Sequence, residues 1–548
     1  MVWMHFFSRL AGIAGAGFLV WICLPSCPWP WLPFVALVPF ALALQNTGPL
    51  AGLLWGLAGG ALFWLVSTFW VFHSFEHLMG WSVALSILGT LVFALVQGLP
   101  YALFGLAQGF LRARGQKSGP VFSAALLTLF VFILPAPCPG SPALSLYSLP
   151  LAIQTADLGG YALVDFFFLL INWLLAHALI RVNRPRLCLL YLAGTGLVLT
   201  LFLGYGGLRL NHFQCLEENA FRNDFQDEFF TVRTIQPDIP VVGAIGYELD
   251  EPYKGSLGVM QMLTEATAPD FPPTDLVVWP EVSRAVYCGC DFFEDRGMER
   301  TAQMANGPII LACLENPRLN ALEGGDGPDA VHALSQVRKP GQYTVFNTLM
   351  LVDESQCRVV YRKYKLVPFG EAAPLRGKWP WLYEKMARQM EYAPGPGPEV
   401  FSLPHGPEVQ PLICFESGFP EMTRAGIALG AKAFVNVSND AWFMSARAAE
   451  LHLSLALFRA VEQRRPLVRG TNSGFGAHVK ATGEIAPGSL TPMNEPAVRQ
   501  ASLHIPGEIT IYQRIGNAWL WLAALFVLGR IGQGCHCRFW LSHRNPKS

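Results

Sequence analysis

Three short stretches, far apart in the chain, hold the residue types needed to build a covalent thioester. Trp279-Pro280-Glu281 offers a carboxylate. Tyr361-Arg362-Lys363, running on to Val367-Pro368-Phe369-Gly370-Glu371, offers an amine and a second carboxylate, and Ile413-Cys414-Phe415-Glu416 offers a thiol. A thiol is a strong nucleophile only as thiolate, which requires a base or a nearby cation. Glu281 can take the proton. Lys363 can stabilise negative charge on sulfur and then on a tetrahedral oxyanion, with the backbone N–H of Phe415 as a second donor. Singly, each would be an ordinary surface charge or core thiol; their order and flanking residues carry the signal.

Each stretch sits where a predicted strand gives way to a loop, the usual place for groups that must converge on a substrate. The predicted strands are Phe230–Gln236, Asp275–Trp279, Pro308–Cys313, Thr348–Val352, Arg358–Tyr361, Gln410–Ile413, Ala433–Ser438, Leu467–Gly470 and Gly476–Lys480. Helical periodicity is clearest in Arg447–Gln463, where Leu453, Leu457 and Ala460 recur at i, i+4 and i+7. Residues 315–343 and 372–398 have the composition of mobile loops. The second carries Trp379, Trp381, Tyr383, Met386 and Met390, a set that either dips into a membrane interface or packs as an ordinary excursion.

The rest of the chain is of another material. With 52% hydrophobic and 14% charged residues in 548, it is too apolar for a soluble enzyme of this size. Apolar spans are expected near 10–24, 30–45, 50–73, 83–111, 120–136, 160–180, 187–206 and 515–533. The first two are short for a hydrocarbon layer that needs about 20 helical residues and could form a hairpin. Span one lacks a clear small-x-small cleavage site and is expected to be retained. Arg112, Arg114 and Lys117, then Arg181, Arg184 and Arg186, then Arg530, Arg538 and Arg544 follow alternate spans, whereas loops 25–29, 74–82 and 137–159 have no Lys or Arg. That bias places both termini in the cytoplasm and the polar block outside. The expected domains are 1–210 (seven spans), 211–510 (external catalytic domain) and 511–548 (last span and tail). A polar block bracketed by spans points to a lipid substrate.

Net charge is zero, and no basic stripe with interleaved aromatics exists, so nucleic acid is not an expected partner. The twelve cysteines follow no metal-binding spacing, and neither a metal nor an organic cofactor is expected.

Trp-Pro-Glu, then Tyr-Arg-Lys and Leu-Val-Pro-Phe-Gly-Glu, then Cys-Phe-Glu resembles the nitrilase superfamily and, more closely, its membrane-embedded branch, the apolipoprotein N-acyltransferase family. Gln236-Pro-Asp-Ile-Pro240, Ser438-Asn-Asp-Ala-Trp-Phe443, His452-Leu, Arg465 to Asn472 with Gly474, and Thr510-Ile-Tyr-Gln-Arg514 are further matching pieces. The resemblance implies an integral-membrane helical bundle of about eight spans carrying an external α/β domain, the nitrilase-like αββα sandwich. It implies Glu281 as general base, Lys363 as oxyanion stabiliser and Cys414 as nucleophile. Glu371 and Glu416 would orient Lys363 or shuttle a proton. Asn439, Asp440 and Trp442 would wall the pocket or simply pack, and Arg469, Thr471 and Asn472 would support the core nearby.

The implied reaction has two steps. Cys414 takes an acyl chain from a phospholipid, typically phosphatidylethanolamine, and the N-terminal amine of a diacylglyceryl-cysteine apolipoprotein then accepts it, at the outer face of a bacterial inner membrane. Three departures bear on lipid and acceptor preference. Phe415 stands where the family usually has tyrosine. The segment after Pro240 lacks a common tryptophan, for which Tyr247 is the substitute, and residues 137–152 lack a Glu-Trp-x-x-Arg pattern. A membrane-anchored nitrilase-type amidase would use the same triad with water as acceptor, but one anchor would suffice for it. A transporter would carry more ionisable groups in its spans than Asp165, with Asn172 and His177 nearby.

Overall fold

The computed structural model describes the chain except residues 1, 26, 117, 224, 240–251, 282–296, 316–344, 369, 373–391 and 544–548. Tyr247, Cys288, Cys290 and nearly all of the two predicted mobile loops therefore lie outside the described residues. The chain divides into two compact units: Met1–Phe69 with Ile87–His212 and Ile509–Ser548, and Trp70–Ser86 with Phe213–Glu508.

The first unit is helical, and helices occupy all eight predicted apolar segments. Among the described residues, four helices are long and apolar enough to cross a membrane: Trp3–Cys23, Pro49–Ser67, Ala156–Ile180 and Pro185–Arg222. Val83–Gln97 and Leu99–Ala113 make a fifth if the pair, bent by 44°, is one span. Pro33–Ala43 and Pro120–Ile133 are apolar but shorter, and the helix Trp519–His543 is apolar over Trp519–Gly532. The sequence expectation is thus matched in position, and local chemistry interrupts two of the segments. The bend at Gly98 precedes Pro100, which has no N–H to continue the ladder. The second segment breaks at Leu37, whose N–H donates instead to Asn172 Oδ1 at 2.8 Å.

Helices Pro49–Ser67 and Leu99–Ala113 cross with backbone against backbone. A Cβ on Gly52 or on Gly105 would overlap the other's carbonyl, the small-residue contact that membrane helices use to approach closely. The two buried carboxylates here are paired: Asp165 accepts from Thr128 at 3.1 Å, and Arg209 meets Asp157 at 2.9 Å. Outward faces carry Leu189, Leu190, Leu197 and Leu201, all exposed, a surface suited to hydrocarbon.

The second unit is built on two sheets. The first has six strands in the order β11-β1-β2-β3-β4-β5, from β1 (Phe229–Gln236), β2 (Leu276–Val278), β3 (Ile309–Glu315), β4 (Phe346–Val352), β5 (Cys357–Arg362) and β11 (Ala497–His504). The second runs β10-β9-β8-β7-β6, from β6 (Phe401–Ser402), β7 (Glu408–Ile413), β8 (Ala433–Ser438), β9 (Leu467–Thr471) and β10 (Ala477–Val479). The pairs β1–β2, β2–β3, β7–β8 and β8–β9 are parallel.

Alternation decides which side chains meet. Phe230, Val232, Leu276, Val278, Leu349 and Leu351 face one core with Val409, Ile413, Val435 and Val437 of the other sheet. The intervening Ile235, Val277, Ile309, Leu311 and Met350 face a second core with Met260, Met298 and Ala302 from helices Pro252–Thr267 and Met298–Met304. Because both faces are covered, the strands read as nearly continuous apolar runs. All nine predicted strands are present to within a few residues; β6, only two residues long, and β11 were not predicted. β11 is an edge strand with Arg499, Gln500 and Ser502 among its residues, so it has no apolar run to betray it.

Candidate active site

The strand ends bring the three motifs together. Glu281 follows β2, Lys363 follows β5 and Cys414 follows β7, each at the carboxyl end of its strand. Asn347 enters β4, which runs antiparallel to β3, so it reaches the same end of the sheet. Its Nδ2 donates to Glu281 Oε1 at 2.8 Å, and the Cys414 thiol lies near enough to the same carboxylate for the two groups to shift each other's ionisation. Lys363 Nζ lies 2.6 Å from Glu371 Oε1 and 3.9 Å from Glu281 Oε1. The other Glu371 oxygen takes the Val367 N–H at 2.8 Å, which fixes the carboxylate that fixes the amine.

Two acids and one fully buried amine share the site, so their charge states are set jointly. Burial by itself would drag the Lys363 ammonium down, but Glu371 and Glu281 hold it above the ordinary amine range. Burial raises the Glu281 carboxyl, and Lys363 pulls it back only in part. Burial also pushes the Cys414 thiol up, and Glu281 adds to that push. Both effects favour the protonated thiol over the thiolate. Some of the Cys414 surface stays accessible, although protein packs densely around the sulfur.

Cys414 has φ 52°, a left-handed conformation uncommon for a residue with a side chain and costing roughly 1–3 kcal/mol. It turns the chain sharply from β7 into the short 3₁₀ turn Cys414–Gly418. Phe415 opens that turn, its ring edge-on to Phe419 at 4.8 Å. Glu416 is fully buried and accepts from Tyr361 Oη (2.6 Å), Tyr364 N (2.8 Å), Lys365 N (2.9 Å) and Ile413 N (2.8 Å). It staples the loop after β5 to the nucleophile turn, and Glu371 is the acid that touches the lysine.

The remaining predicted residues lie in the framework behind the thiol. Asp440, held at about 2 against the penalty of burial by Arg469 and His452, accepts from Arg469 Nη2 at 2.8 Å. Asn439 Oδ1 accepts from Ala441 N and Asn472 Nδ2, both at 3.2 Å, and Asn472 in turn pins Ile239 through N–H and carbonyl. Trp442 is half-exposed. Sequence reasoning missed Asn347 and Asn436 and gave His452 no role. The available signal was an amide inside an otherwise apolar strand, as in Ala433-Phe-Val-Asn-Val.

Among the described residues, one group has donors close enough for a metal: His73, Glu76 and His77, with ligand atoms within 4.8 Å of one another. A hollow of about 660 Å³ between helices Pro252–Thr267 and Met298–Met304 is lined by Met262, Glu265, Arg300 and Met304. Its lining includes none of Glu281, Lys363 and Cys414.

Residues 242–504 match the carbon-nitrogen hydrolase family, and residues 16–174 match the apolipoprotein N-acyltransferase N-terminal domain. An apolipoprotein N-acyltransferase from Geobacter metallireducens is 27% identical over 92% of this chain and 91% of its own length. One from Bdellovibrio bacteriovorus is 30% identical over 50% of this chain, a match spanning only 48% of that relative. One from Caulobacter vibrioides is 29% identical, over 55% and 53%. Among solved structures, an amidase from Nesterenkonia sp. AN1 aligns with 53% of this chain and 98% of its own at 18% identity and TM-score 0.34. A carbon-nitrogen hydrolase from Helicobacter pylori G27 aligns over 51% and 90% at 17% identity and TM-score 0.34. With the two-sheet architecture, the family match makes the C-terminal half a nitrilase-like α/β domain.

Proposed function

We propose that this chain, whose two parts match the apolipoprotein N-acyltransferase N-terminal domain and the carbon-nitrogen hydrolase family, moves a fatty acyl chain from a phospholipid, through a Cys414 thioester, to the N-terminal amine of a diacylated apolipoprotein. The observation that carries this reading is the convergence of Glu281, Lys363 and Cys414 at three strand ends, with Lys363 Nζ 3.9 Å from the Glu281 carboxylate and the thiol beside both charges. In the first half-reaction Glu281 takes the thiol proton and sulfur attacks the ester carbonyl. Lys363 and the Phe415 N–H receive the oxyanion. As the intermediate collapses, the C–O bond breaks and Glu281 returns the proton to the leaving alkoxide, releasing a lysophospholipid. In the second half, the acceptor amine attacks the thioester, Glu281 takes its proton, and the C–S bond breaks to restore the thiol. Phosphatidylethanolamine is the proposed donor.

Eight membrane segments, with 211–510 as the external domain and both termini cytoplasmic, complete the reading. Basic residues in alternate loops support that orientation. So does disulfide-bonded Cys313, since disulfides persist in oxidising compartments such as the periplasm of a cell with an inner membrane.

Intact-protein mass spectrometry after incubation with phosphatidylethanolamine and no acceptor tests the proposal. A fatty-acyl increment on the wild type and none on Cys414→Ala, discharged by a diacylated lipopeptide, is the expected result. Absence of the increment, with ammonia released from small amides instead, would replace acyl transfer with amide hydrolysis.

A further inference from the structure

The carbonyl of the nucleophile carries three donors. His452 Nε2 lies 3.0 Å from Cys414 O, Asn436 Nδ2 3.3 Å and Ser417 Oγ 3.2 Å. A carbonyl has two lone pairs, so three donors mark a group held with unusual firmness. Two of them rest on one guanidinium. Arg469 Nη1 donates to Asn436 Oδ1, and Arg469 Nη2 lies 3.0 Å from His452 Nδ1 while bridging both Asp440 oxygens at 2.8 Å. Arg469, Asn436 and Asp440 are fully buried and His452 nearly so. The proton positions follow from the partners. Cys414 O can only accept, so Nε2 carries the hydrogen. Nδ1 lies 3.0 Å from Asp440 Oδ1 as well as from Arg469 Nη2, so carboxylate and guanidinium together hold the ring from behind; burial and Arg469 oppose the imidazolium, and Asp440 favours it.

The consequence lies on the other side of the same peptide unit. In a planar trans peptide the C=O and the following N–H point in opposite directions, so gripping Cys414 O fixes the direction of the Phe415 N–H. Donors on the carbonyl also polarise the unit and strengthen that N–H as a donor. We propose that His452, with Asn436 and Ser417 and backed by Arg469 and Asp440, is a positioning residue that clamps the Cys414 carbonyl and thereby aims the Phe415 N–H at the oxyanion. The clamp also holds the left-handed Cys414 backbone, a conformation that persists only where its surroundings over-determine it. Phe443, edge-on to His452 at 5.7 Å and itself packed on Trp70 at 4.8 Å, braces the imidazole from the side.

This inference deepens the proposed function and rests on its thioester chemistry, but not on the phospholipid donor. The test compares two reactions of the same sulfur in the full-length protein in detergent. Acylation by p-nitrophenyl acetate passes through an oxyanion; alkylation by iodoacetamide does not. Removing an oxyanion donor outright costs about 100- to 1,000-fold, so mis-aiming one through His452→Leu should slow acylation about 10- to 100-fold and leave alkylation nearly unchanged. His452→Gln, which keeps an N–H donor, should recover most of the loss, and Ser417→Ala should give a smaller, equally selective loss.

Unchanged acylation in His452→Leu would overturn the clamp. So would a parallel fall in both reactions without rescue by glutamine, which marks a merely structural residue. If His452→Leu does not fold, His452→Gln and Ser417→Ala decide by the same ratio. A wild type that accepts acetyl from the activated ester but no acyl chain from phospholipid would sink the proposed function and leave the clamp standing.

Discussion

The two sheets of the second unit contribute opposite kinds of group to one site. The first supplies charge: Glu281 after β2, Lys363 after β5, and Glu371 in the following loop, two carboxylates around one buried ammonium. The second supplies the sulfur and, behind it, hydrogen bonds that end on backbone, with the buried ion pair of Arg469 and Asp440 turned to scaffolding. The difference teaches a division of labour. Proton transfer and charge stabilisation need groups whose ionisation is poised, whereas aiming a nucleophile needs groups whose ionisation does not change. Asp440, at about 2, is such a group.

Mutations can break that division. The largest effect belongs to Cys414→Ala, which removes the proposed nucleophile. Transfer should fall to background, a loss of about 10,000-fold or more on the scale of nucleophile deletions, read by the rate of lipopeptide acylation. Lys363→Ala should cost about 1,000-fold in acylation and also leave two acids facing each other. Glu281→Gln should cost about 100- to 1,000-fold. It should also erase the acid limb of the pH–rate profile, which in the wild type lies above the ordinary carboxylate range because burial raises this acid. A mutant profile that keeps that limb would reassign the base.

The scaffolding side should answer in stability. Asp440 is held below its unfolded value, so its contribution is fully present above pH about 4 and lost as pH falls toward about 2. Asp440→Asn should therefore lower stability by about 2 kcal/mol at neutral pH, with the gap to wild type closing on acidification; a pH-independent gap would mean lost packing. The smallest effect is expected of Glu371→Gln. It keeps a hydrogen-bond acceptor for Lys363 but removes a charge, costing about tenfold in acylation with little change in melting temperature.

How much was legible in the sequence differed between these parts. Covered on both faces, the core strands are apolar runs ending in the motif residues, so β8 could be bounded correctly as Ala433–Ser438. β11 could not be found, because an edge strand with polar side chains has neither an apolar run nor a clear alternation. The same limit hid Asn347 and Asn436. Each is one amide in an apolar strand, and nothing local says which distant group it meets. Among the helices, the apolar segments were visible from composition, but their breaks at Leu37 and Gly98 depend on a partner side chain and on a proline two residues on.

By itself the sequence determined the reagents and their order, the presence of apolar helices around a polar block, and most strands, because side-chain chemistry and hydrophobic period are local properties. Only the tertiary structure decided that Glu371 orients the lysine while Glu416 staples two loops. It alone placed three donors on the Cys414 carbonyl. Apart from Ser417, three residues on, those outcomes depend on distances between groups 8 to 55 residues apart in the chain, and such distances are fixed by how the two sheets pack, which no local pattern encodes.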